Sequence, residues 1–239
     1  MLFAGCKEDT FTVGGRLENG GGHTLWLDEI APDGPLFIDS IPIDSDGNFK
    51  FKYKMPYRSF FALHTDANNF ALLLPDYGEK LDVRGDWNNL SLTYSVEGSP
   101  ESGLLWQLQQ LTNKGDAVIT DLVDTARRYD SLYKANVVTK AVVAAKRHIT
   151  DSIYRAERKL QKEYVCAFIE ENAGSLSTMI ALYKSFNSRP LITPNDTADF
   201  YYYDIVLGGL EDRHPDNPHT LRFRGTVDKM HMALITIDN

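Results

Sequence analysis

Leu36-Phe37-Ile38-Asp39-Ser40-Ile41-Pro42-Ile43, then Asp44-Ser45-Asp46-Gly47-Asn48, then Phe49-Lys50-Phe51-Lys52-Tyr53: the reading of this stretch decides the first half of the chain. Two apolar runs flank an Asp-Gly turn, a strong local hairpin signal. Phe49, Phe51 and Tyr53 recur with a period of two, and Lys50, Lys52 and Lys54 fill the gaps. That alternation predicts a strand with aromatics in a core and lysines in water. The stretch therefore predicts a β-hairpin with the remaining early strands arranged around it.

Outward from it, similar runs recur at short spacing. Phe11–Leu17 and Thr24–Asp28 precede it, with Gly14-Gly15 reading as a bulge. Phe60–His64, Phe70–Leu74, Lys80–Arg84 and Leu92–Val96 follow. Asn19-Gly20-Gly21-Gly22, Pro32-Asp33-Gly34-Pro35, Pro75–Gly78 and Asp86–Asn89 punctuate them as turns. The glycine run lacks the Lys-Ser/Thr ending of a phosphate-binding loop, and a strand follows it, so it reads as a turn. Roughly eight short strands predict an antiparallel sandwich or barrel over residues 10–98.

From Ser99 the period changes to that of a helix. Ser99-Pro100 opens one with proline in its first turn. Val118, Leu122, Ala126, Tyr129 and Tyr133 continue it as one stripe. Residues 139–172 carry a second stripe through Ile149, Ile153, Ala156, Leu160, Tyr164 and Phe168. Two such segments predict an antiparallel helical hairpin. Leu176–Phe186 and Asp196–Leu210 read as further helices, and His219 opens a last helical segment. The fold class expected is thus α+β in two segments: an antiparallel β-domain at 10–98, then an all-α domain at 99–239.

Charge narrows the function. The first 100 residues hold 8 basic and 15 acidic side chains, and the whole chain has a net charge of -8. That sign opposes tracking along phosphates, so no nucleic-acid partner is expected. The basic residues at 155–162 alternate with Glu157 and Glu163 and read as a solvated helix face. The only cysteines are Cys6 and Cys166, with no C-x-x-C pair, which excludes a thioredoxin-type motif and a Cys-rich zinc site within this sequence. Cys166, among apolar neighbours, reads as a small buried hydrophobe. Asp44, Asp46 and Asn48 alternate as calcium ligands do. However, Gly47 precedes the third oxygen, and Met55 stands where a closing Glu belongs, so a turn explains them better. His214, His219 and His231 fit no zinc spacing and read as surface residues. The Phe200–Tyr203 run reads as helix packing. No cofactor, no metal and no catalytic residue is expected.

Leu2-Phe3-Ala4-Gly5-Cys6 resembles the lipobox of bacterial lipoproteins, in which small residues precede a cysteine that receives lipid. Cys6 is thus the expected lipidation site, within a tether at 1–9, and the membrane is a partner through it. Acyl chains contribute about 0.8 kcal/mol per buried CH₂, enough for firm anchoring when several are present. Lys7-Glu8-Asp9 resembles the export signal of surface-directed lipoproteins in Bacteroidetes.

Several blocks carry a wider resemblance: Phe11–Leu17, Gly34–Ser40, Asp44–Phe51, Leu72–Leu81, Tyr94–Ser99 and, more loosely, Phe168–Asn172 and His214–His219. Together they resemble the β-domain of unknown function, with its helical linker, of Bacteroidetes lipoproteins, where it usually precedes a thioredoxin-like domain. The resemblance implies a non-catalytic envelope module on the outer membrane that binds or scaffolds a protein partner. It also implies one alternative, the front part of a thiol-disulfide oxidoreductase whose redox domain would begin after Asn239; a second alternative, an accessory binding lipoprotein of a nutrient-uptake complex, rests on exposed-aromatic candidates alone. The ligand contacts suggested by exposed aromatic character are Trp26, Tyr57 and Trp87.

Overall fold

The structure, a computed structural model, describes residues 9–194 and 196–237, with side chains as far as Ala233. Cys6 lies outside the described residues. In chain order the β-half holds β1 (Thr10–Glu18), β2 (Thr24–Ala31), β3 (Gly34–Pro42), β4 (Asn48–Lys54), β5 (Phe60–Asp66), β6 (Asn69–Leu73), β7 (Lys80–Asp86), a short α1 (Leu90–Thr93) and β8 (Ser95–Glu97). They form two four-stranded sheets, ordered β4-β1-β7-β8 and β3-β2-β5-β6. Phe11, Val13, Leu17, Leu81 and Val83 of the first sheet share one buried core with Leu25, Leu27, Phe61 and Leu63 of the second. The Phe11 and Phe61 rings meet 4.9 Å apart between them. The chain is therefore α+β in two segments, a sandwich followed by helices. One pair departs from the antiparallel expectation: β1 and β7 run parallel.

The predicted hairpin does not form. β3 pairs with β2, whereas β4 pairs with β1 in the other sheet. The turn between them exists as read. The Asp44 carboxylate accepts from the backbone N–H of Asp46 and Asn48 at 2.9 and 2.8 Å, and Gly47 N–H bonds to the Asp44 carbonyl at 3.1 Å. Those N–H groups, with the Asn48 side-chain amide, hold the Asp44 carboxyl below its ordinary range. The turn redirects the chain between layers because β3 already has its antiparallel partner through the tight Pro32–Gly34 connection. The alternation of β4 holds, with Phe49 buried and Lys50, Lys52 and Lys54 exposed, while Leu36 and Phe37 in β3 are 55% and 66% exposed.

Two smaller expectations also fail. Gly14-Gly15 is not a bulge, since β1 keeps register with both neighbours there. Gly15 instead lets β7 approach, as a Cβ would stand 1.8 Å from the Val83 carbonyl oxygen. Residues 92–96 are not one strand: Leu92 and Thr93 belong to α1, and only Ser95–Glu97 pairs, with β7.

The helical half contains α2 (Pro100–Lys134), α3 (Lys140–Glu171), α4 (Ser177–Leu182), a two-stranded ribbon of β9 (Ser185–Phe186) and β10 (Arg189–Pro190), α5 (Thr197–Arg213) and α6 (Pro218–Ile237). The Ser99 side chain caps α2 through Ser102 N–H, and Pro100 occupies its first turn. The shorter helix expected over 176–186 stops at Leu182, because Asn187 and Ser188 take positive φ and turn the chain into the ribbon.

α2 and α3 form the expected antiparallel hairpin, but α3 buries a different face. Val143, Gln161, Val165, Phe168 and Ile169 are its buried residues, whereas Ile149, Ile153, Leu160 and Tyr164 face solvent. Gly115 of α2 explains the choice. Gln161 fills the space a side chain there would take, and its amide donates to the Leu111 carbonyl and the Glu157 carboxylate.

The helices cover part of the outer face of the second sheet. Phe60 and Leu74 are buried in the helical core with Phe168, Leu182 and Phe223. Polar ties fix the contact: Leu74 N–H donates to Ser102 Oγ at 3.0 Å, and the Trp106 indole donates to the Tyr94 carbonyl at 2.7 Å.

Candidate functional site

The outer face of the second sheet is covered at one end and open at the other, and the strand register locates the boundary. Phe60 lies opposite Ile30, Ala62 opposite Asp28, and His64 opposite both Trp26 and Phe70. The helices bury Phe60 and stop short of the His64 row. What remains is a concavity of about 540 Å³ whose walls include Trp26, Ile30, Pro35 and Phe70, with Asp28 and His64 between them. Phe37, opposite Asp28 in register, extends the apolar surface to the edge strand.

The alternation of β2 produces this directly. Leu25 and Leu27 point into the sandwich, so Trp26, Asp28 and Ile30 point out. The Trp26 and His64 rings stack with centroids 5.9 Å apart. His64 Nε2 lies 3.2 Å from Asp28 Oδ2, yet it is not aligned for a hydrogen bond. Both ring nitrogens are shielded from water without a hydrogen-bond partner among the described residues. An apolar wall with a few unsatisfied polar atoms is the composition of a binding cleft. A buried polar group left unmatched costs about 1–3 kcal/mol, which a ligand hydrogen bond would recover.

A second groove, about 840 Å³, adjoins the first through Pro35. Leu36 and Tyr57 form one side of it, and Leu221 and Arg222 of α6 form the other. Behind it lies the buried Glu29, and burial together with that carboxylate pushes Tyr57 up to about 12. Glu29 Oε1 has no partner among the described residues.

Of the three aromatic residues singled out from the sequence, Trp26 lies in the cleft and Tyr57 in the adjoining groove. Trp87 stands apart, stacked on His23 at 4.7 Å, and its carbonyl accepts from the Asn69 amide. Asp28, His64 and Phe70 were missed. Each is unremarkable in its own strand, and only the cross-strand register brings them together.

His219 is not the surface residue expected. It is buried, and its Nε2 meets Ser59 Oγ at 2.9 Å across 160 residues of sequence. A serine beside a histidine is the beginning of a nucleophile pair. Here Ser59 is fully buried, and burial lowers His219 to about 4, so the pair is a neutral fastening between β5 and α6. Asn217 adds a bond from its amide to the Arg58 carbonyl at 2.8 Å. Cys166 is half-buried, and desolvation raises its thiol above the ordinary value, which disfavours the reactive thiolate. No group of three or more metal-ligating side chains occurs among the described residues, and no described helix is long and apolar enough to cross a membrane.

No protein-family model matches the chain, and neither a curated protein nor a solved structure does.

Proposed function

We propose that this chain is a non-catalytic binding module of a bacterial cell envelope, tethered by lipid on Cys6, whose sheet cleft grips an extended apolar peptide segment of a protein partner. The observation that carries the binding role is His64, held between Trp26 and Phe70 with Nδ1 lacking a hydrogen-bond partner among the described residues and Nε2 facing Asp28 Oδ2 at 3.2 Å. Peptides supply what this cleft lacks. Their side chains match the apolar wall, and their backbone N–H and C=O groups match the imidazole and the Asp28 carboxylate. Support for the tether is the Leu2–Cys6 lipobox, and support for an envelope role is the resemblance of the β-half to lipoprotein β-domains.

Selection from a random peptide display library tests the cleft. Enriched sequences should carry aromatic or aliphatic residues, and Trp26→Ala should weaken their binding about tenfold or more. Trp26 is partly exposed, so the variant should remain folded. An absence of enriched peptides, or equal binding by the variant, would contradict the assignment. For the tether, Cys6→Ala in the full precursor should release the protein from the membrane fraction. Retention there would rule out Cys6 as the anchor.

A further inference from the structure

The helix α3 carries a second apolar stripe that stays largely exposed. Val142, Ile149, Ile153, Leu160 and Tyr164 are 40%, 49%, 46%, 57% and 39% exposed, and Ala145, Ala156 and Ala167 between them are exposed as well. At 100° per residue all eight fall in a band about 100° wide, roughly a third of a turn from the face that packs on α2. Over the span of residues 142–167 the band is about 38 Å long at 1.5 Å per residue.

We propose that this stripe is the surface through which two copies of the chain pair, with their α3 helices antiparallel about a twofold axis between residues 154 and 155. The order of side chains along the stripe carries the choice of a second copy. The steps between successive stripe residues read 3, 4, 4, 3, 4, 4, 3 from either end. An antiparallel copy therefore meets the stripe in register along its whole length. In that register Ile149 faces Leu160, Ile153 faces Ala156, Val142 faces Ala167 and Tyr164 faces Ala145. The bulkiest side chain meets one of the smallest, so the layers fill without overpacking. An isologous interface needs this self-complementarity, whereas an unrelated partner does not.

Charge permits the approach. Lys146 and Glu163 stand at the two edges of the stripe, at the angles of Tyr164 and Ala145, and in the antiparallel register Lys146 of one copy faces Glu163 of the other. On its margin Lys159 and Glu163 pair with each other at 3.6 Å, and Lys146 leans away over the Tyr129 ring at 5.2 Å. A band about 38 Å by 10 Å offers on the order of 400 Å² per copy before its margins are added. The pair therefore buries about 800 Å² in total before its margins, below the roughly 1,200 Å² of standard specific interfaces, so the association expected is weak.

Sedimentation of the full chain from about 1 to 100 µM tests the proposal. A monomer–dimer equilibrium in that range is expected. Ile153→Glu places two carboxylates near the twofold axis and should leave a monomer at every concentration. Its unfolding midpoint should match the parent's, because Ile153 is exposed in the single copy. Orientation is read by oxidation in a Cys6→Ser, Cys166→Ser background. A mixture of Ile149→Cys and Leu160→Cys chains should cross-link, and neither chain should do so alone. A parent that stays monomeric throughout, an Ile153→Glu variant that still dimerises, or cross-linking of Ile149→Cys with itself would each overturn the proposal.

Discussion

At Gly47 the backbone φ is +88°, and a Cβ there would stand 2.4 Å from the Leu17 carbonyl oxygen. Gly22 shares the conformation at +78° but has nothing within 4 Å. The pair separates backbone strain from collision. Gly22→Ala should cost about 1 kcal/mol through φ alone, and Gly47→Ala about 2–4 kcal/mol because β1 must also shift. Urea midpoints of the two variants measure the difference. Ser59 and His219 give a second test at this scale. Ser59→Ala leaves a buried imidazole nitrogen without its partner and should cost about 1–3 kcal/mol. The folded histidine titrates at about 4, below its ordinary 6.5. Between those values the unfolded chain takes up a proton that the native chain refuses, so stability falls as pH drops from about 6.5 to 4 and this contribution is level below that. The loss approaches about 3 kcal/mol, and His219→Gln should remove that part of the slope in denaturant titrations across the same pH range. Neither residue's role was legible in the sequence, because 160 positions separate the partners and no periodicity connects them.

The elements were legible wherever a single face was apolar. β4 alternates as its sequence reads, and α2 begins at the Ser99-Pro100 signal. They were not legible where two readings competed. α3 carries two stripes about a third of a turn apart, and the one through Ile149, Ile153, Leu160 and Tyr164 is the exposed one. Gly115 of α2, which admits Gln161, decides between them, and the sequence of α3 alone does not contain that information. The Gly14-Gly15 pair failed in a similar way: glycine in a strand signals either a bulge or a close neighbour, and β7 is that neighbour. Gly15→Ala should therefore force β1 from β7, with a loss of about 3 kcal/mol or more and faster amide hydrogen exchange along Lys80–Asp86. Normal protection in that strand would show that the two strands tolerate separation.

For the whole molecule, composition and period located the change from strands to helices near Ser99, and the structure has its sandwich before that point and its long helices after it. The partner of each strand was not legible. A turn of hairpin type joins β3 and β4, yet they belong to different sheets, because pairing is settled by which strands share the core and not by the turn between them. The cleft depends on the same long-range fact, since it lies where the helices cease to cover β2, β5 and β6. On the function proposed above, this uncovered end grips a protein segment at a bacterial envelope. Its most direct test is a photoreactive amino acid at position 26 of the protein, irradiated in cells and followed by fractionation. The expected result is one discrete protein adduct in the membrane fraction, absent when the same probe is placed at exposed Lys50 on the other sheet. A chain that stays free of adducts, or that reacts equally from both positions, would contradict it.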